Sequence, residues 1–376
     1  MKRLVILFAM LLIASGIQAN LPNLEEGTSL KVSGTVIDQA TSEPLAFASI
    51  IYDHTGTTTN LEGEFVFQIN YHQTENLILV KFIGYETAAI PLTQDNTNLS
   101  VILIPKTEML EEVLVVTADQ VLNDVNNHHQ INYEYADQLL SSYYKETLST
   151  SKDCIYLAEG IFDIYYPTMY SKEKATIHAR KTRKKTFALL DTMKMPLIHG
   201  HATDMINGVT RRTDSFINKG ELDNYTFTKE GLTWYDDKEV FQIRFEPKNK
   251  KADCRGTIFI DSESNAIIRA EYEPLLEGQD FWQKVKWIEE YKKVNSSWYI
   301  HRVSYLGEWD QHGEAITFEA LLVVTDFETI GTKPQLSQAL TKNDIFFHQA
   351  STFSENFWED LNYIKLGTKE KQALGY

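Results

Sequence analysis

The chain has 376 residues, of which 43% are hydrophobic and 12% aromatic. It is therefore long enough and apolar enough to form two domains with their own cores. Its formal net charge of −16 argues against a general nucleic-acid-binding protein, because such proteins usually present a basic surface. Solubility is the simplest explanation of the acidity.

Residues 1–19 have the pattern of a secretory signal peptide. Lys2 and Arg3 precede an apolar run over residues 4–13, and small Ala19 stands at the cleavage position. The run is short for a membrane span, and no cysteine follows it that could carry a lipid. We therefore expect export, with no transmembrane helix in the mature chain. An uncleaved anchor is the alternative.

Residues 29–105 predict a seven-stranded β-sandwich. Short alternating segments are separated by turn-forming residues, as in residues 30–38, 46–52, 65–69, 77–82, 87–92 and 99–104. A turn is predicted within residues 57–65, where Gly63 can adopt a positive φ and Asn60 tolerates one better than most residues do. We interpret Asn60 and Gly63 as a structural turn.

Four blocks of this region resemble the carboxypeptidase regulatory-like (transthyretin-like) domain, namely residues 32–38, 43–48, 59–65 and 82–85. The family often has Asp where Asn60 stands, so the turn is a weaker candidate for binding a cation. Such domains occur in envelope proteins of Bacteroidetes. The resemblance implies a location in the periplasm or at the outer membrane.

Residues 110–117 resemble the segment that joins this domain to the plug of TonB-dependent receptors, but no plug or series of barrel strands follows. Residues 106–130 are predicted to be an interdomain linker, because residues 119–130 are rich in Asn, Asp and His. The second domain is then expected over residues 131–376.

The second domain is predicted to be α+β, with a curved antiparallel sheet. Apolar residues at helical spacing predict a helix over residues 133–148, and a second helix is predicted over residues 354–364. Strands are expected at residues 155–166, 176–187, 225–229, 232–235, 240–247, 255–261, 266–273, 283–294, 298–307 and 315–327. The hairpin at residues 255–271 resembles those of outer-membrane lipoprotein carrier-like half-barrels.

Cys154 and Cys254 are the only cysteines. In an oxidising compartment they could form a disulfide, and two buried free thiols are the alternative. Neither belongs to a CxxC motif or a Cys/His cluster, so they do not indicate a metal site.

Other candidate sites have simple structural explanations. The spacing of His72 and Glu75 occurs in some zinc enzymes, and His199 and His201 lie near Asp204, but both groups fit solvated loops. Residues 172–185 are basic and could touch an anionic lipid or polysaccharide, or could form a solvated strand face. The aromatic residues Phe281, Trp282, Trp287, Trp298 and Trp309 could line an acyl-chain or glycan site, or fill a core.

The sequence thus predicts no catalytic, cofactor-binding or metal-binding residue. The leading hypothesis is an exported, noncatalytic envelope protein that binds or scaffolds a partner, for example by adding a strand to a sheet edge. The first alternative is a periplasmic carrier of a lipid or other hydrophobic ligand. The second is an envelope hydrolase.

Overall fold

The computed structural model describes residues 25–72, 74–93, 96–106, 116–133, 136–168, 171, 173–187, 202–277, 281–294, 296–335, 339–352 and 363–375. The predicted signal peptide, the receptor-like segment before Thr117, the helix predicted over residues 354–364, Lys172, His199 and His201 lie wholly or mostly outside these ranges. Those predictions remain predictions. Within the described ranges, no helix combines the length and the apolarity needed to cross a bilayer.

The N-terminal domain is a sandwich of two small sheets. Its strands are β1 (Ser29–Asp38), β2 (Ser49–Tyr52), β3 (Thr55–Thr58), β4 (Glu64–Asn70), β5 (Leu77–Lys81), β6 (Ala88–Pro91) and β7 (Leu99–Leu103). One sheet has the order β4–β1–β7 and the other β3–β2–β5–β6. Both sheets contribute to one core, which includes Val36, Ile50, Phe67, Val80 and Leu103. The predicted seven-stranded sandwich is confirmed.

The second domain is built on an eleven-stranded sheet. Its strands are β8 (Gln138–Thr150), β9 (Cys154–Tyr166), β10 (Thr176–Thr186), β11 (Tyr225–Tyr235), β12 (Lys238–Pro247), β13 (Cys254–Asp261), β14 (Ile267–Pro274), β15 (Lys284–Val294), β16 (Ser297–Gln311), β17 (Glu314–Thr329) and β18 (Ala339–Leu340). Their order is β11–β12–β13–β14–β15–β16–β17–β8–β9–β10–β18, with every neighbouring pair antiparallel. The predicted class, mainly β with an α+β second domain, is confirmed.

The two faces of the large sheet bury different partners. One face, the helix face, packs against α1 (Ala118–Asn132), the segment 202–217 and α2 (Phe346–Gln349). The opposite face, the sandwich face, buries Tyr143, Ile161, Leu321 and Val323 together with Ile364, and Phe47 of the sandwich packs on this cluster. Because successive side chains of a strand point to opposite faces, one strand can supply both cores.

The prediction of a helix over residues 133–148 is wrong, because most of this segment forms strand β8. Central strands covered on both faces lose the polar–apolar alternation that normally identifies a strand. Here Tyr143 lies in the sandwich-face cluster and Tyr144 in the helix-face core, and both are fully buried. Their spacing from Leu139 and Leu140 resembles a helical repeat, but the pairing with β9 and β17 shows an extended chain.

The segment predicted as an irregular linker contains helix α1. Thr117 caps it, accepting a hydrogen bond from the Gln120 amide, while the Gln120 side chain bonds back to the Thr117 amide. Val121, Leu122 and Val125 are buried on the large core. The abundance of Asn, Asp and His on the exposed side concealed this apolar stripe. The domain boundaries themselves remain a prediction.

The two cysteines are separate, buried thiols in this structure, and the pairing of Cys154 with Cys254 stays a prediction. Cys154 lies on β9 and donates to the carbonyl of Tyr156, whereas Cys254 lies on β13 beside the Tyr225 hydroxyl. Burial raises the pKa of each thiol to about 12, which leaves both protonated and unreactive at neutral pH.

Candidate functional site

The predicted structural turn of the sandwich is stabilised by its own polar groups. Gly63 has a φ of +70°, and a Cβ at this position would lie 2.6 Å from the carbonyl oxygen of Val36. Asn60 is almost fully buried, and its side-chain oxygen accepts hydrogen bonds from the amides of Glu62 at 3.1 Å and Glu64 at 2.8 Å. The turn therefore presents its two glutamates outward in a fixed position.

Glu62 and Glu64 contact residues 363–375, near the C-terminus. Residues 363–375, which we name the C-terminal strap, include helix α3 (Thr368–Leu374). Glu62 accepts a hydrogen bond from the Thr368 amide at 2.8 Å, and Lys371 pairs with Glu64 at 2.6 Å. The side-chain Nδ2 of Asn60 also donates a hydrogen bond to the carbonyl of Leu366 at 3.3 Å. The turn within residues 57–65, which we name the signature turn, is thus the docking point of the strap.

The strap also binds the large sheet. Glu370 pairs with Lys145 of β8 at 2.7 Å, and both side chains are mostly buried. Burial acts to lower the pKa of Lys145, but the Glu370 carboxylate outweighs it and raises this pKa above its usual value. Ile364 anchors the other end of the strap in the sandwich-face cluster. The strap therefore bridges the two domains.

A cleft of about 310 Å³ lies between the signature turn, the strap and the sandwich face of the large sheet. Its volume is near the lower end of the range for small-molecule sites, roughly 300–1,000 Å³. Apolar side chains from all three parts line it: Phe47, Leu61, Ile288, Leu306, Ala320, Leu321 and Ile364, with Tyr305 beside them. Leu61 stands at the surface, because 55% of it is exposed.

Charged side chains also line the cleft, and most of them are neutralised by partners. Lys286 pairs with Glu271 at 2.8 Å, and Lys284 pairs with Glu308 at 3.6 Å. Glu319 of β17 differs, because no hydrogen bond or ion pair joins its carboxylate to any residue that the structure describes. Burial raises the pKa of its carboxyl, an effect that Lys145 opposes and Glu370 reinforces.

Buried charges connect the two domains beside the cleft. Arg302 is 1% exposed, its Nε donates a hydrogen bond of 2.8 Å to Glu290, and its Nη2 forms an ion-pair contact of 2.8 Å with the other carboxylate oxygen. Its guanidinium lies 4.6 Å from the ring of Phe47. Burial opposes the ionisation of Glu290, but Arg302 and Arg269 lower its pKa to about 2. Lys292 donates to the carbonyls of His54 and Thr55 in the sandwich, each at 3.1 Å.

Of the histidine candidates, His72 lies among the residues that the structure describes. His72 lies at the surface, where it contacts Glu26 at 2.8 Å and closes a turn with Glu75. His199 and His201 are outside the described residues, and Asp204 begins a short 3-10 turn. In the part of the chain that the structure describes, no group of three or more His, Cys, Asp or Glu side chains is arranged to hold a metal ion.

The basic residues of strand β10 are engaged in specific contacts. Arg183 is buried and pairs with Glu159 at 2.7 Å, and Arg180 lies 3.7 Å from Asp163. Lys184 donates to the carbonyl of Phe347 at 2.7 Å. The strand also pairs with β18, so part of its edge is covered. These contacts favour the structural explanation of the basic stretch.

The predicted aromatic cluster forms only in part. Phe281, Trp282 and Trp309 contact one another, with ring centroids 4.9–5.5 Å apart. Tyr305 joins Trp282 and Trp287 to the wall of the cleft. Trp298 is buried in the large core, to which Trp309 also belongs. Core packing therefore accounts for most of these rings.

The residues that build the cleft have no local sequence pattern that indicates a binding site. Phe47 belongs to a block that resembles the family, but nothing in that block indicates that its ring leaves the sandwich. Glu319 stands between apolar residues, as on any half-exposed strand, and Lys145 stands in a strand that has lost this alternation. Their convergence with Glu370 depends on strand pairing and on contacts across more than 200 residues, which local patterns do not encode.

A comparison with known families agrees with the resemblance of the first domain. Residues 32–115 match the family model of the CarboxypepD_reg-like domain. No curated protein sequence matches the chain.

Solved structures similar to the chain include a domain described as lipoprotein-sorting from Vibrio parahaemolyticus, with 10% identity and a TM-score of 0.29 over 58% of this chain and 95% of that chain. A DUF1329 family protein from Desulfovibrio piger has 10% identity and a TM-score of 0.27 over 58% and 95% of the two chains. A LolA superfamily protein from Nitrosomonas europaea has 10% identity and a TM-score of 0.25 over 58% and 96%.

Proposed function

We propose that this chain is an exported, noncatalytic carrier that binds a small hydrophobic ligand in the cleft between its two β domains. The observation that supports this most is the cleft itself, because apolar side chains from the sandwich, the sheet and the strap converge on one space of about 310 Å³. Sites of this kind, concave and mostly apolar with a few polar groups, are typical of small-molecule binding. They form preferentially where domains meet.

The strap makes the cleft suitable for reversible binding. Helix α3 contributes no buried residue, and apart from Ile364 and Tyr363 the strap is held mainly by polar contacts. Its pair Lys145–Glu370 is mostly buried, whereas the pair Glu64–Lys371 is partly exposed and is worth less than about 1 kcal/mol. A segment with few apolar contacts can open at a small cost in free energy while the rest of the fold stays intact.

The proposal reverses the order of the hypotheses drawn from the sequence. The sequence alone favours a scaffold, with a carrier as the first alternative. The scaffold and the envelope hydrolase gain no supporting contact or site among the residues that the structure describes. Export and an envelope location rest on the predicted signal peptide and on the resemblance of the first domain.

Binding of the neutral fluorescent probe N-phenyl-1-naphthylamine tests the proposal. The variant Leu61→Asp places a charge at the mouth of the cleft and should weaken binding at least about fivefold, since the ligand would lose an apolar contact and face an ionised group. Ile102→Asp is the matched control, because Ile102 is 51% exposed on the same sandwich but does not line the cleft. Absence of binding to the natural chain, or equal losses in both variants, would contradict the proposal.

A further inference from the structure

Glu319 is the charge in the cleft that the described residues leave unmatched. Each of the three lysines that line the cleft has a carboxylate partner: Lys145 has Glu370, Lys284 has Glu308 and Lys286 has Glu271. Glu370 is matched in turn by Lys145. Among the described residues, Glu319 has no such partner, although it stands on the same wall as Ala320 and Leu321.

The surroundings of Glu319 do not neutralise it. Lys145 and Lys369 attract its carboxylate, but Lys145 is already bound to Glu370, and Lys369 lies 3.4 Å from the carbonyl of Thr150. Glu370 and Glu308 add negative charge nearby. A partly buried carboxylate in this setting is costly unless a hydrogen-bond donor or a cation approaches it.

We propose that the occupant of the cleft carries an ammonium group that pairs with Glu319 while its apolar part packs on Leu306, Leu321 and Ile364. This inference rests on the proposed carrier function and specifies the chemical class of its ligand. An anionic amphiphile fits less well, because it would face Glu319 and would have to displace a carboxylate from one of the three lysines. A neutral alcohol would gain the apolar contacts alone.

Three amphiphiles with the same ten-carbon chain separate these cases: decylamine, decanol and decyl sulfate, measured by calorimetry at pH 8 below their aggregation concentrations. We expect decylamine to bind at least about tenfold more tightly than decanol, since a charge-assisted hydrogen bond in a partly buried site contributes this much. Decyl sulfate should bind most weakly.

The variant Glu319→Gln keeps the shape of the side chain and removes its charge. It should bring the affinity for decylamine to within about threefold of that for decanol. Glu328→Gln is the control, because Glu328 is an exposed residue of the same strand that does not line the cleft, and it should keep the full preference. Circular dichroism of both variants verifies that they are folded.

Acidification of the natural chain gives a second measurement that needs no variant. Decylamine stays protonated below pH 9, so a loss of its preference over decanol on acidification would report protonation of the protein. Because the pKa of Glu319 is raised, this loss should occur above the pH at which an ordinary glutamate titrates.

The outcomes distinguish the two proposals. If none of the three amphiphiles binds, the carrier proposal fails. If all three bind equally, or if decyl sulfate binds most tightly, the cleft takes apolar chains but the assignment of Glu319 is overturned. The same holds if Glu319→Gln keeps the preference for decylamine.

Discussion

Lys292 places a cation between the two β domains at a point where little water reaches it. It is 8% exposed, and it donates to two backbone carbonyls of the sandwich rather than to a carboxylate. Burial lowers its pKa to about 7, and Lys81 adds to this effect, while Asp53 and Asp326 oppose it. The neighbouring His301 is also buried, and burial together with Lys292 lowers its pKa to about 3.

This residue should make stability rise with pH above neutrality. In the unfolded chain the lysine keeps its ordinary pKa of about 10.4, so between pH 7 and pH 10 the unfolded state binds more protons than the folded state. The free energy of unfolding should therefore increase by up to about 1.4 kcal/mol per pH unit in that range, and this contribution should be constant below pH 7.

Urea unfolding at pH 7, 8 and 9 measures the effect. The variant Lys292→Met should lose the rise, whereas Lys293→Met, which changes the exposed neighbour, should retain it. Parallel pH profiles for Lys292→Met and the natural chain would show that Lys292 is not the titrating group.

At the scale of elements, the strap shows which contacts matter for closing the cleft. Lys145 and Glu370 are 16% and 12% exposed, whereas Lys371 is 38% exposed in its pair with Glu64. Removing a partner from a buried pair leaves the other charge uncompensated, while an exposed pair contributes little.

We therefore expect Glu370→Gln to loosen the strap more than Lys371→Gln does. Hydrogen exchange of the amides of Lys371 and Gly375, which bond within the strap, reports its opening directly. Exchange should accelerate clearly in Glu370→Gln and by less than about fivefold in Lys371→Gln. Equal acceleration in the two variants would mean that the buried pair does not hold the strap.

The strands of this protein were largely readable from sequence, and the reasons for the exceptions are physical. Paired, half-buried strands such as β13 and β14 keep their alternation and their turn residues, with Asn265 at a positive φ between them. Strand β8 was misread because both of its faces are buried. The capping box at Thr117 and Gln120 could have revealed α1. The cleft was not predictable, because strand pairing and the strap assemble it.

At the scale of the whole molecule, Phe47 connects the domains. Its backbone has a φ of +64°, which is unfavourable for a bulky residue, and its ring leaves the sandwich core to pack on Arg302 and the sandwich-face cluster. Lys81 with Asp236, at 2.6 Å, and the Gly84 amide with the Trp234 carbonyl, at 2.7 Å, add further links. These contacts indicate that the two domains stabilise each other.

Two substitutions at Phe47 separate the ring from the backbone strain. Phe47→Ala removes the ring and keeps the strain, whereas Phe47→Gly removes both, so the glycine variant should be the more stable by about 1 kcal/mol. At an ordinary strand position a glycine is less stable than an alanine, and Ala88→Gly serves as the control for this normal order of stability. All six tryptophans follow the sandwich in the sequence, and five lie on or beside the large sheet, so thermal unfolding followed by their fluorescence shows whether a change in the sandwich reaches that sheet. An unchanged midpoint in both variants would contradict the coupling.

The pairing of β8 with β17 determines when this protein can finish folding. Strands β11 to β17 form a continuous meander of sequential neighbours, but β8 must wait for a partner that leaves the ribosome more than 160 residues later, as Thr150 pairs with Ile316. Contacts of such high sequence separation form late and slow the reaction. The cleft lies where these two strands pair, with Lys145 on β8 and Glu319 on β17. A partly synthesised chain therefore lacks the cleft, which forms only with the last stage of assembly.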